Sequence, residues 1–82
     1  MKVMLFEKVD KNYAVLKQVD LAAVPTNEDK IVVEISGTWY VFKIEEIQYS
    51  EDQKVEIMVT REKIITDHNK PNESEAYIYQ HV

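Results

Sequence analysis

Apolar and polar residues alternate with a period of two through most of this chain. In KVEIMVT, Val55, Ile57 and Val59 point one way while Lys54, Glu56, Met58 and Thr60 point the other. That alternation predicts a strand with one face against a core. The run IVVEI likewise sets Ile31, Val33 and Ile35 on one face, and its β-branched side chains favour extended backbone. Near the start, KVMLFEK is apolar on both parities, Met4 and Phe6 against Val3 and Leu5, so this strand is expected to be covered on both faces or to lie where the sheet curls. Asp10 and Asn12 supply turn chemistry, which predicts a hairpin from about Lys2 to Val19.

Ser36-Gly37-Thr38 holds the only glycine, placed where a tight hairpin needs positive φ. The strand that follows, Trp39 to about Tyr49, is long and changes phase. Tyr40, Phe42 and Ile44 share one parity, Ile47 and Tyr49 the other, with Glu45-Glu46 between. A one-residue slip turns every later side chain to the opposite face unless a bulge restores it, so a bulge or corner is expected at Glu45-Glu46. SEDQ then turns the chain into the Lys54–Thr60 strand. Between Asp20 and Pro25 the short apolar group Leu21 to Val24 predicts at most one helical turn, near residues 20–24, stopped by the proline. The polar run around Pro71 reads as an exposed loop. The last stretch, AYIYQHV, alternates again; it reads as a final strand beside Ile64, or as an arm that adds to another chain. No window sustains a helical period. The expectation is one mainly β domain spanning 1–82: a small, strongly bent antiparallel sheet or partly open barrel of five to six strands.

Composition narrows the function. At 82 residues, 45 % hydrophobic and 30 % charged, the chain has the balance of a folded globular domain. It has no cysteine, hence no disulfide, thiolate nucleophile or sulfur-bound zinc, and a cytoplasmic location is expected. The N-terminus does not read as a signal peptide and no run reaches the ~20 apolar residues of a membrane span; the Asn72-Glu73-Ser74 sequon is then incidental. Ten Lys and Arg, singly scattered, against fifteen Asp and Glu leave a net charge of −5, which disfavours a phosphate backbone or an anionic membrane as partner.

Candidate chemistry is sparse. Tyr40 and Phe42 are expected in the core, because aromatic rings dominate small cores. Trp39, on the other parity, packs on a cross-strand neighbour or anchors a partner; Tyr77 and Tyr79 are the contacts if the last strand meets another chain. Glu45, Glu46 and Glu34 do not converge as an acid–base set, since adjacent strand residues face opposite ways. His68 and His81 belong to no ligand motif, and neither metal nor other cofactor is expected. One glycine rules against a phosphate-binding loop.

From Val24 to Glu62 the chain resembles small bacterial and prophage-encoded proteins of compact, Src-homology-3-like barrel form. The matching pieces are Val24-Pro25, Glu28-Asp29, Gly37, Tyr40, Phe42, Ile44, Ile47 and the Val55-Ile57-Val59 run; Glu28 departs from the glycine usual there. The resemblance implies a fold and no activity. These readings point away from an enzyme and toward a non-catalytic protein-interaction or structural accessory module of mobile-element origin, with homo-oligomers through edge strands as a further expectation. The alternative is single-stranded nucleic-acid binding on an aromatic sheet face.

Overall fold

A computed structural model describes residues 1–52, 54–65 and 75–79. Six strands make one sheet: β1 (Lys2–Val9), β2 (Asn12–Asp20), β3 (Lys30–Ile35), β4 (Thr38–Tyr49), β5 (Val55–Ile65) and β6 (Ala76–Tyr79). Their lateral order is β2-β1-β5-β4-β3-β6. No helix is present among the described residues, and none is long and apolar enough to cross a membrane. The mainly β reading therefore holds, with six strands in a sheet not closed into a barrel.

Two turns set the hairpins. Ile35 faces Thr38 across Ser36-Gly37, and both turn residues have positive φ, 52° and 86°. This is the backbone pattern of a type I′ turn, whose twist matches that of the strands it joins. The β1–β2 hairpin pairs Val9 with Asn12 and holds Asp10 at φ 57°.

The phase slip in β4 is absorbed as the sequence predicts. Ile44 faces Val59 and Glu46 faces Met58, so Glu45 is the unpaired residue of a bulge and Ile47 returns to the inner face opposite Ile57. A second irregularity, between Val41 and Phe42, leaves Glu62 of β5 unpaired as the chain steps from Arg61 to Lys63. A third, at Leu5/Phe6, leaves Leu16 extra on β2. Bulges sharpen twist and bend, and the sheet curls around one core. Phe42, Leu5, Ile31, Ile57, Val3, Val33 and Val59 are fully buried in it, and Leu16, Val24, Tyr40 and Ile47 close its ends.

The curl brings the two sides of the sheet within side-chain reach. Lys17 of β2 donates from Nζ to the Glu34 carbonyl oxygen of β3 at 3.0 Å and pairs with Glu75 at 3.3 Å. Beside it the Glu34 N–H donates to the Glu75 carbonyl at 2.9 Å. One lysine thus spans a gap that no backbone ladder closes among the described residues.

Three expectations need correction. The sheet is mixed, because β1 runs parallel to β5, Val3 beside Val55 through Glu7 beside Val59; alternation specifies a strand's faces and leaves its neighbour open. β5 continues to Ile65 rather than ending at Thr60, since the bulge lets Ile64 and Ile65 pair with Tyr40 and Trp39. β6 pairs antiparallel with β3, Ala76 with Val33 and Tyr79 with Lys30, and not with Ile64. Residues 76–79 thus complete the domain's own sheet. Residues 20–24 form no helical turn, within the bound of at most one expected there. Tertiary contacts hold this segment instead. The Leu21 N–H donates to the Met1 carbonyl at 2.8 Å and its side chain enters the core, while Pro25 is buried. Thr26 and Asp29 then close the turn into β3, the Thr26 N–H donating to Asp29 Oδ2 at 2.8 Å and the Asp29 N–H to the Thr26 carbonyl at 3.1 Å.

Candidate functional site

Three features of the sheet are candidates for a functional site. The first lies at one end of the curled core, where Glu7, Arg61, Tyr40 and Phe42 meet. Arg61 faces Phe42 across the β4–β5 ladder, so its parity sends it to the inner side. Its guanidinium lies 4.3 Å from the Tyr40 ring centroid and 5.4 Å from that of Phe42. It also donates to both carboxylate oxygens of Glu7, at 2.8 and 2.9 Å. A planar cation suits both an aromatic face and a two-point carboxylate. The Arg61 guanidinium and the Glu7 carboxylate thus match each other, and the arrangement caps this end of the core.

The second is the outer-face cluster of Trp39, Val32 and Val41, against which Ile65, Tyr77 and Tyr79 pack. The structure brings together all three sequence-derived contact candidates, Trp39, Tyr77 and Tyr79. Trp39 is only 9 % exposed, and its ring centroid lies 6.0 Å from that of Tyr77 at 45°. Cross-strand packing on its neighbours is the role this geometry gives it, and little ring face is left for a base to stack on. Burial, reinforced by the charge of Tyr79, raises the Tyr77 phenol above its ordinary value of 10.0.

Sequence reasoning did not single out the third feature. It is the outer face of β2, β1 and β5. Because Val3, Leu5, Val55 and Ile57 point inward, Met4, Phe6, Glu56 and Met58 point outward. Phe6 pairs with Val15 and Met4 with Gln18 on β2. Together they line a groove of about 580 Å³ whose apolar part is Met4, Phe6 and Val15 with Val3 and Val55, and whose polar part is Lys2, Gln18, Lys54 and Glu56. Val15 is 66 % exposed, so the apolar part is open to solvent. The signal was present in KVMLFEK, apolar on both parities. The structure covers its inner parity completely and leaves the outer one as this groove.

The carboxylates weighed as an acid–base set stay apart. Glu45 accepts a hydrogen bond from Thr60 Oγ1 at 2.9 Å, and Glu34 takes part through its backbone on β3. Among the described residues no three His, Asp or Glu side chains are grouped to hold a metal ion. His68 and His81 lie outside the described residues. Comparison with protein-family models, with curated proteins and with solved structures finds no match to this chain.

Proposed function

We propose that this chain is a non-catalytic protein-interaction module that receives a partner's polypeptide on the outer face of β2, β1 and β5. One observation carries the reading: an apolar groove, with Val15 66 % exposed beside Phe6 and Met4, stands open on a sheet whose inner face is already filled. A chain this small has few large apolar side chains to spare from its core. Open apolar surface rimmed by polar groups is the usual form of an interaction site. The resemblance to small Src-homology-3-like prophage proteins supports an accessory role by analogy of fold. The Trp39–Tyr77–Tyr79 cluster is a second, smaller contact region.

The test is selection of a displayed random-peptide library on the folded chain. Enrichment of a shared pattern is expected, with capture abolished by Val15→Asp and retained by Tyr79→Glu on the other cluster. Both substituted chains should keep the wild-type circular dichroism. If nothing is enriched, or if capture survives Val15→Asp, the reading fails; loss with Tyr79→Glu alone moves the site to the second cluster.

A further inference from the structure

The groove has a direction. Lys2 and Lys54 each stand one residue before the Val3–Val55 pair of the parallel β1–β5 ladder, and both have outward parity. They are therefore lateral neighbours at one end of the groove that both line. Like charges side by side on adjacent strands repel, and Asp20 interacts with Lys2 by charge without forming an ion pair with it. Asp20, opposite Lys2 on β2, is taken by the Met1 ammonium at 2.6 Å. Glu56 sits two residues along β5, beside Met4. Among the described residues neither lysine belongs to an ion pair, which is equally true of Lys8, Lys11, Lys43 and Lys63; what sets Lys2 and Lys54 apart is that they line the groove side by side. In a chain of net charge −5, two neighbouring cations at the head of an apolar groove form a local basic site.

Resting on the function proposed above, we infer that the groove takes an extended peptide segment in which an acidic residue is followed at alternate positions by two apolar ones. The carboxylate lies over Lys2 and Lys54, and the apolar side chains lie over Met4 and over Phe6 with Val15. The spacing follows from the strand itself: outward side chains on β1 recur every second residue, about 6.6 Å apart, which is also the repeat of an extended peptide lying along it. A carboxylate between two ammonium groups gains charge-assisted hydrogen bonds and removes their repulsion. Charge thus sets the register and apolar contact holds the segment, the division of roles that alternating pockets give in strand recognition.

The experiment measures fluorescence anisotropy with labelled library-selected peptides against wild type, Lys54→Glu and the Lys2→Glu/Lys54→Glu pair, at low and high salt. All lysine changes are at exposed positions, so folding should be retained and is checked by thermal melts. The selected peptides should share the acidic-x-apolar-x-apolar pattern. The double change should weaken binding about tenfold or more, with a smaller loss for Lys54→Glu alone, and added salt should weaken the wild-type complex. A peptide with lysine in place of its acidic residue should regain affinity for the doubly substituted chain. Peptides that bind without a carboxylate, or bind equally well to the doubly substituted chain, overturn the inference and leave the interaction module standing. A library that enriches nothing, or enrichment indifferent to Val15→Asp, removes both. Concentration-dependent dimerisation of the free chain that Val15→Asp abolishes makes a second copy the occupant and overturns the peptide assignment.

Discussion

Individual residues matter most where the backbone or a charge has no alternative. At Gly37, φ of 86° is closed to most side chains, and a Cβ there would meet nothing within 4 Å. The cost of a side chain is therefore purely conformational. Gly37→Ala should lower unfolding free energy by about 1–2 kcal/mol, read by urea denaturation; an unchanged midpoint would contradict the positive-φ turn. Asp20 offers a test in pH. Its carboxyl is held below the ordinary value of 3.8, first by the hydrogen bond from the Met1 ammonium, then by that group's charge, with burial opposing and Lys2 adding a little. A carboxyl whose folded pKa is depressed contributes stability that is present above its unfolded pKa and lost as pH falls through the folded one. Acid melts should thus show a component confined below pH 3.8 that Asp20→Asn abolishes, with no change near neutrality attributable to Asp20 titration.

At the scale of elements, β4 shows what period two can and cannot specify. Glu45 is the residue the β5 ladder skips. Deleting it leaves Ile44 and Ile47 on the inner parity with a regular ladder between them, so the shortened chain should fold cooperatively, with reduced stability because the bend is lost. Deleting Lys43 instead turns Ile44 outward and brings a glutamate to the inner face, and that chain should lose its cooperative melt. Equal behaviour of the two deletions would refute the bulge. The bulge was legible because parity changes between Ile44 and Ile47. Partners joined by a short turn were legible as well, β1 with β2, β3 with β4 and β4 with β5; the others were not, since parity is the same whichever neighbour a strand meets, and hence the parallel β1–β5 ladder and the docking of β6 on β3 came only with the structure. Trp39 shows the same limit. Its parity placed it on the outer face, but Tyr77 packs on it from β6, so its burial depended on a pairing the pattern could not supply.

For the whole molecule, the decisive property is that the two faces of one curled sheet are used differently. Bulges in β2, β4 and β5 bend it, and Lys17 fastens β2 to Glu34 and Glu75 across the gap. The radius of gyration of 12.1 Å is near the ~12 Å of a compact body of this length, so bending rather than a second layer encloses the core. No second layer covers the outer face of β2, β1 and β5 among the described residues, and there Met4, Phe6 and Val15 lie beside two lysines that belong to no ion pair. That site was half legible. The apolar doubling of KVMLFEK was plain, but Lys2 and Lys54 are far apart in the chain and became neighbours only through the parallel pairing. The most direct measurement is a ¹H–¹⁵N amide-shift map of the chain titrated with a library-selected peptide. A partner seated in the groove should cause the largest changes at Lys2–Phe6, Val15–Gln18 and Lys54–Met58, with Trp39 and Tyr77–Tyr79 almost still. Changes centred on Trp39, Tyr77 and Tyr79, with the first three segments unmoved, would contradict that placement.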